Sequence, residues 1–342
     1  MDFDILWLIV AFGGGAFGAA IGGQTAFIMT GFAFLFGFSA LLGGVPEAQA
    51  FIGMFAFGPV FGPHIAFAGG AAAAAYAAKR GYFAEGVNGR DIVTPLAGIP
   101  KADIFIVGGV FGMLGYVMNQ FLAWLFGLWR PENSAIGLEG GSASWTGEGM
   151  LVGTDTVALS VVGVALVARL AFGVKSKSLV GPFNGAKPLS LNDGTHWVEH
   201  QEKWSISALH GLTSGVLFAY VAVWVLENVP TDNPAYLNIA SQVFLVGWAI
   251  SAISLIFLSL GMKTPVTHHM TILAGLGAVQ AYVAWDAGAL GSTLIGAAWG
   301  LIGGVGGEAF SRIFNARGDT HIDPPAGIIF IGTTAIYLVT TI

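Results

Sequence analysis

Long apolar runs separated by short polar segments cover most of the chain. A run needs about 20 residues to cross the roughly 30 Å hydrocarbon layer as a helix, and about ten runs reach or approach that length. The runs are continuous, unlike the short alternating segments of a membrane β-barrel, so each is predicted to be a helix. The predicted spans are residues 4–22, 24–44, 48–79, 102–128, 151–173, 205–229, 237–261, 266–285, 288–311 and 326–342.

The basic residues orient these spans. Short cytoplasmic loops of membrane proteins are enriched in Lys and Arg. With the N-terminus placed outside, all 13 Lys and Arg residues except Arg130 fall on or beside the cytoplasmic face. The chain is therefore expected to be an integral protein of a plasma or inner membrane, with its N-terminus and C-terminus both outside.

The composition indicates that the chain's partner is a lipid bilayer, and it argues against disulfides, thiolate metal sites and nucleic-acid binding. Hydrophobic residues make up 55% of the chain and charged residues 9%, whereas soluble domains carry roughly 25% charged residues. The absence of cysteine excludes disulfides and thiolate metal sites. No basic patch accompanies the net charge of −6, so nucleic acid is not an expected partner. The 52 glycines favour close helix packing, and a homo-oligomer is expected.

A polar stretch at residues 174–204 is predicted to be a cytoplasmic connecting loop. It separates an N-terminal membrane half, 1–173, from a C-terminal membrane half, 205–342. Five spans in each half would give the halves opposite orientations, as in many transporters, and the alignment of GFAFLFGFSALLGGVPE with GWAISAISLIFLSLGMK favours this inverted repeat. A parallel repeat is the alternative, because GRDIVTPLAG (89–98) aligns with GDTHIDPPAG (318–327) on the same predicted side.

The third run, residues 48–79, is too long for one straight span and contains FGPVFGPHIAF. Pro59 and Pro63 each remove a backbone donor and disrupt a helix. A helix broken at membrane depth frees backbone polar groups, which are tolerated only against protein or a polar cavity. Transporter sites often lie at such breaks, so we expect a broken third segment beside a substrate path.

Pro63, three nearby histidines and one carboxylate form the predicted substrate or ion path. His64 follows Pro63, and an ionisable residue at membrane depth indicates a functional site. His268 and His269 open the eighth span. Adjacent helical residues point about 100° apart, so one of them is expected to face a pore and the other the membrane interface. Asp91, on the cytoplasmic side, completes the path. The alternative for His64 is a neutral, hydrogen-bonded structural role, and the alternative for His268 and His269 is a pair of interfacial histidines with their polar tips in the headgroup region.

The segment GDTHIDPPAG precedes the last span. Side chains of an extended chain alternate in direction, which places Asp319, His321 and Asp323 on one side. Two carboxylates and an imidazole suit Zn²⁺, Mn²⁺ or Fe²⁺ better than Ca²⁺, so a divalent metal ion is the one cofactor that the sequence suggests. The alternative is that Asp323 caps the tenth helix, with the two prolines in its first turn, and that Asp319 pairs with Arg317.

The DPPAG part of this segment resembles the His-Pro-Pro motif of a small integral-membrane family linked to nitrite transport. The agreement is confined to this segment, and His321 is separated from the prolines by two residues. No site or activity is therefore inferred from it.

Three further polar motifs have simpler interpretations. Glu308 lies four residues before Arg312, the spacing of a helical salt bridge. Asp155, near the outer end of its span, is expected to be solvated. The sequence HWVEH at 196–200 matches the H-x-x-E-H zinc-peptidase signature, but short motifs occur by chance, and Glu199 fits an ordinary interfacial helix. No enzymatic activity is predicted.

Together these patterns predict an all-α, polytopic membrane bundle that transports or conducts a small ion or solute. Its site would combine histidine and carboxylate near the broken helix. A non-transporting membrane anchor or structural subunit is the first alternative, and a membrane metal-binding protein is the second. No phosphate-binding loop or dinucleotide fingerprint appears, so active transport would be driven by an ion or proton gradient.

Overall fold

The computed structural model describes residues 4–127, 153–174, 180, 187–191 and 195–340. Regular structure within these residues is helical, which confirms the all-α prediction. Their β-type pairing is one isolated parallel bridge between Gly89 and Thr320. The external loop predicted around Arg130 lies outside the described residues.

The α-helices follow one another with short connections. In chain order they are α1 (Ile5–Ile21), α2 (Gly23–Leu42), α3 (Ala48–Phe51), α4 (Ala68–Lys79), α5 (Ala102–Gly127), α6 (Thr156–Phe172), α7 (Trp204–Asn228), α8 (Tyr236–Gln242), α9 (Leu245–Ser259), α10 (His268–Ala284), α11 (Gly288–Phe310) and α12 (Pro324–Thr340). Three π-helical turns adjoin them: Ile52–Ala56 after α3, Pro63–Phe67 before α4, and Ser311–Asn315 after α11.

Four of the described helices are long and apolar enough to cross a membrane: Gly23–Leu42, Ala102–Phe126, Trp204–Asn228 and Gly288–Asn315. A fifth candidate is the pair α8 and α9, which is bent by 60° within the predicted seventh span. The apolar helices α1, α6 and α12 are shorter. The described residues thus contain four to five candidate spans, fewer than the about ten predicted from run length, because several runs form short or broken helices.

Large apolar side chains cover the outward faces of these helices. Phe36 on α2 is 71% exposed, and Leu290 on α11 is 75% exposed. A wide apolar surface of this kind is unfavourable in water and is the expected surface of a helix in hydrocarbon. The exposure is consistent with a membrane location.

The third apolar run is broken, as predicted. Its helical structure stops before residues 57–62, which form bends and turns, and resumes directly after them. The Thr30 hydroxyl on α2 donates to the Phe61 carbonyl at 2.6 Å. Gly14 on α1 leaves room for the Pro59 carbonyl, since a Cβ at this glycine would overlap that oxygen. Helices α1 and α2 therefore cover backbone groups that the break frees, as an apolar environment requires.

The helices pack in two groups with the same pattern of neighbours. In the first group α5 packs against α1, α4 and α6, and in the second group α11 packs against α7, α10 and α12. The helices α2 and α9 pack against each other and join the groups. Gln24 at the start of α2 donates to Ser259 Oγ at the end of α9 at 2.7 Å, so these two helices are antiparallel.

Glycines allow the central helix pair of each group to approach closely. A Cβ on Gly15 of α1 would overlap backbone atoms of Gly108 and Gly112 on α5. A Cβ on Gly211 of α7 would likewise overlap the backbone of Gly300 on α11. Both interfaces therefore depend on contacts between main chains, which is the packing that a glycine-rich membrane helix favours.

Gly115 of α5 provides a test of this packing. A Cβ at Gly115 would overlap the carbonyl group of His64, whereas a Cβ at Gly13 would have no atom within 4 Å. We expect Gly115→Ala to lower the free energy of unfolding by about 1–3 kcal/mol. The matched variant Gly13→Ala should leave it unchanged or raise it by up to about 1 kcal/mol through helix propensity. Thermal unfolding in detergent measures both, and equal stability of the two variants would contradict the packing.

Candidate functional site

A cavity of about 630 Å³ lies between the two helix groups. It is lined by α2, α9, α10 and α12, by the start of α6, and by the break in the third segment. Its volume falls in the range of roughly 300–1,000 Å³ that is usual for small-molecule sites. We call one end of the cavity the basic end; its surroundings hold Arg90, Arg169, Arg312 and Arg317.

Four aromatic rings form an apolar wall of this cavity, which we call the aromatic wall. Phe27 lies on α2, Phe57 is the first residue of the break, Phe67 ends the π-helical turn after it, and Trp248 lies on α9. The ring centroid of Phe27 lies 5.4 Å from that of Trp248 and 6.0 Å from that of Phe67. Phe57 stacks on Trp248 with centroids 5.6 Å apart. Residues from distant parts of the chain thus form one continuous aromatic surface.

Three polar side chains, His268, His321 and Asp323, border the aromatic wall, and we call them the polar edge. The His268 ring lies 4.8 Å from the Phe27 ring, and the His321 ring lies edge-on to Phe67 at 5.8 Å. His321 Nε2 is 3.1 Å from Asp323 Oδ1. The Nδ1 atom of His268 is buried and has no hydrogen-bond partner within the described part of the chain. The structure therefore brings two predicted path and metal residues, His268 and His321, to the same side of one cavity.

Asp323 caps α12. Its Oδ2 accepts a hydrogen bond from the Ala326 backbone N–H at 2.8 Å, and the helix begins at Pro324. The predicted N-cap followed by prolines is therefore confirmed. The ion-pair partner of this carboxylate is His321, and no described lysine or arginine forms a salt bridge with it. The partial positive charge at the N-terminus of α12 favours the negative charge of this carboxylate.

The segment before α12 is extended, as its bridge between Thr320 and Gly89 indicates. It does not hold the three predicted metal ligands in one cluster. His321 and Asp323 line the cavity, whereas Asp319 Oδ2 accepts a hydrogen bond from the Val174 N–H at 2.8 Å and is not part of the lining. Among the residues that the structure describes, no three His, Asp or Glu side chains are grouped to hold a metal ion. A Zn²⁺, Mn²⁺ or Fe²⁺ site stays a prediction.

Pro63 lines the cavity, but His64 does not. The His64 side chain is buried with its Nδ1 unpaired, and its carbonyl faces Gly115 on α5. The break itself therefore borders the cavity, while the imidazole that follows it is enclosed by protein. A role for His64 in the path stays a prediction.

His268 and His269 face different surroundings, as their adjacent positions on a helix require. His268 lines the cavity. His269 is fully buried, its ring lies against Gly307 on α11, and the Trp197 ring is 6.1 Å away. The expectation that the second histidine would lie at the membrane interface is wrong, because α11 and the residues before α7 cover it.

Asp91 lines the basic end of the cavity. Its Oδ1 accepts hydrogen bonds from the backbone N–H groups of Val93 and Thr94 at 2.9 and 3.0 Å. The carboxylate therefore closes a local turn and also faces the cavity, and a role for Asp91 in the path stays a prediction.

The HWVEH sequence also lines the basic end, but it forms bends and turns, and α7 begins only at Trp204. His196 Nδ1 pairs with Glu202 at 2.5 Å, and His200 Nε2 lies 3.0 Å from the Thr264 carbonyl oxygen. The expected interfacial helix is therefore wrong here. The two imidazoles bind different partners and are not one helical turn apart, as the zinc signature requires.

Arginines hold the backbone at the basic end, a cluster that we call the arginine clasp. All four donate to main-chain carbonyls: Arg90 to Ala316 at 2.5 Å, Arg169 to Phe314 at 2.5 Å and Thr320 at 2.8 Å, Arg312 to Leu189 at 2.6 Å, and Arg317 to Pro188 at 3.2 Å. Burial lowers the pKa of the Arg90 guanidinium from its ordinary value, and the Asp319 carboxylate opposes that shift. The clasp fixes the chain that leads into the polar edge.

The predicted pair of Glu308 and Arg312 is confirmed, with Arg312 Nε donating to Glu308 Oε1 at 2.7 Å. The charge pattern along the sequence places the other arginines near the cytoplasmic face and indicates no backbone acceptors for them. Because their acceptors are backbone oxygens far along the chain, no local pattern could have identified the clasp.

Asp155 lies at the opposite end of the cavity. It is 6% exposed, lines the cavity, and caps α6 by accepting the Ala158 N–H at 2.9 Å. Its own N–H donates to Thr333 Oγ1 on α12 at 3.1 Å. The expectation of a solvated Asp155 is wrong, because α12 covers the start of α6. The Asp residue before a helical run was the available signal for its capping role.

The chain belongs to DUF7973, a family of unknown function, with a match over residues 1–192 and 232–342. The match includes every residue of the aromatic wall and the polar edge. No curated protein and no solved structure matches the chain.

Arg169 provides a test of the arginine clasp. It is fully buried, and Arg169→Met removes donors from the Phe314 and Thr320 carbonyls. We expect the free energy of unfolding to fall by about 3 kcal/mol or more, since each buried acceptor left unpaired costs about 1–3 kcal/mol. The control Arg80→Met changes an exposed arginine and should have little effect. Thermal unfolding in detergent compares them; the clasp would be refuted by an Arg169→Met protein as stable as the control.

Proposed function

We propose that this protein is a membrane transporter or channel for a small ion or solute, with the cavity as its substrate path. The observation that carries the proposal is a cavity between two helix groups that borders a broken helix and contains buried polar side chains. Broken helices at the interface of two repeats are where secondary transporters bind substrate. The proposed bundle has about ten spans, and its basic end faces the cytoplasm.

An internal repeat in the central helices supports two equivalent halves. The sequence GGVFGMLG at 108–115 of α5 corresponds to GAAWGLIG at 296–303 of α11. Both have glycines with the spacing G-x-x-x-G-x-x-G. In both, the first two of these glycines pack closely against the first helix of their group, which is α1 for α5 and α7 for α11. This correspondence favours a repeat of five segments, in which α5 matches α11.

The last glycine of each motif occupies the same place relative to a histidine. A Cβ on Gly115 would overlap the carbonyl of His64, and a Cβ on Gly303 would crowd the carbonyl of His269. His64 follows the break in the first half, and His269 lies in the first turn of α10 in the second half. The two histidines therefore lie at corresponding positions of the proposed repeat.

The directions of corresponding helices favour an inverted repeat over a parallel one. Helix α2 is the second helix of the first half and α9 the corresponding long helix of the second, and they pack antiparallel. The capping aspartates agree, because Asp155 caps α6 and Asp323 caps α12 at opposite ends of the cavity. An inverted repeat would thus place one carboxylate near each mouth of the path.

The absence of native cysteine permits a test that needs no knowledge of the substrate. A path must be reachable from both membrane faces, simultaneously in a channel or alternately in a transporter. We expect the single cysteine of Val161→Cys, on the cavity wall of α6, to react with a membrane-impermeant maleimide both in intact cells and in inside-out vesicles.

The matched control is Val164→Cys on the same helix. Val164 is fully buried in a cluster with Phe111 on α5 and does not line the cavity, so it should react from neither side. Labelling of Val161→Cys from one side only, or from neither, would refute the transport proposal and favour a non-transporting anchor.

A further inference from the structure

We propose that the aromatic wall and the polar edge form a binding site for an organic ammonium cation. The inference rests on the proposed function, because it names the class of substrate that the path would carry. It joins three independent features of the cavity: the aromatic rings that line it, its charge, and one unpaired imidazole nitrogen.

The aromatic wall supplies the attraction for an alkylated cation. The face of an aromatic ring carries negative electrostatic potential and attracts a cation within about 6 Å of its centroid. Phe27, Phe57, Phe67 and Trp248 all line the cavity, and neighbouring centroids within this group lie 5.4 to 6.0 Å apart. Several rings can therefore contact one small ligand. Surrounding a cation with ring faces is an established mode of quaternary ammonium recognition.

The charged groups on the cavity lining favour a cation rather than an anion. Among the described residues, the lining contains the carboxylates of Asp91, Asp155, Glu199 and Asp323 and the guanidinium of Arg90, while the other three arginines of the clasp lie outside the lining at the basic end. Arg90 donates to the Ala316 carbonyl, which occupies part of its donor capacity. Asp323 lies beside the aromatic wall, and no described lysine or arginine forms a salt bridge with it, so a bound cation would compensate its charge.

The polar edge favours an organic cation over a dehydrated inorganic one. Hard cations need several oxygen ligands to replace their hydration shell, and the rings of this region cannot supply them. His268 is 5% exposed, lines the cavity, and has an Nδ1 atom without a partner. That nitrogen can accept a hydrogen bond from an ammonium N–H.

Isothermal titration calorimetry of the purified full-length protein tests the site, with trimethylammonium chloride as the ligand. Two comparison ligands separate charge from shape: tert-butanol has similar size without charge, and potassium chloride has charge without methyl groups. We expect trimethylammonium to bind at least about 10-fold more tightly than either, since a desolvated cation–ring contact is worth about one decade of affinity. Equal binding of trimethylammonium and tert-butanol, or of trimethylammonium and potassium, would overturn the inference.

Two variants identify the groups responsible. Asp323→Asn removes the charge but retains a good helix cap, and Trp248→Leu removes a ring but keeps the surface apolar. Each is expected to raise the Kd for trimethylammonium by about 10-fold or more. The controls are Asp4→Asn, at the exposed cap of α1, and Phe38→Leu, in the same buried cluster but not on the cavity lining. Both should bind as the wild type does.

The test remains decisive even when the Trp248→Leu variant fails to fold. If Trp248→Leu aggregates, Trp248→Phe keeps a smaller ring and should raise the Kd by only about threefold. Unchanged affinity in Asp323→Asn would also overturn the inference. The labelling of Val161→Cys distinguishes the two proposals: labelling from both sides without ammonium binding overturns the substrate class alone, and ammonium binding with one-sided labelling overturns transport alone.

Discussion

The break in the third apolar run is the constraint on which the rest of the structure depends. Prolines at 59 and 63 free backbone groups in an apolar region, and these must be covered by protein. The Thr30 hydroxyl covers the Phe61 carbonyl by donating a hydrogen bond to it, and Gly14 and Gly115 leave space for the carbonyls of Pro59 and His64. The glycines of α1 and α5 are therefore coupled to the break, and the break forms one side of the cavity.

The cavity has two unlike boundaries. At its basic end the arginine clasp ties the chain before α12 through charged donors to carbonyls, which are among the stronger hydrogen bonds in proteins. Across from it, the break is held by close backbone packing and one hydroxyl. Asp323 lies where these boundaries meet. Its carboxylate contacts the His321 ring, and that ring packs against Phe67. The proposed cation site thus combines the chain that the arginine clasp holds with the broken third segment.

Local chemistry made part of this arrangement predictable. Proline spacing indicated the break, the Asp-Pro-Pro sequence indicated the cap of α12, and the spacing of four residues indicated the Glu308–Arg312 pair. The surroundings of His64, His269 and Asp155 were not predictable, because they depend on which helix packs over each side chain. The aromatic wall was hidden for the same reason. The glycine spacing that GGVFGMLG shares with GAAWGLIG was visible in the sequence and required only comparison of the two segments.

The most direct measurement is an experimental density map of the protein in lipid nanodiscs at a resolution that shows ordered water. We expect water or solute density inside the cavity beside Asp323 and Trp248, with the antiparallel helices α2 and α9 lining it. A volume filled by side chains or by a lipid acyl chain would contradict a polar path, and only the helical bundle would then stand.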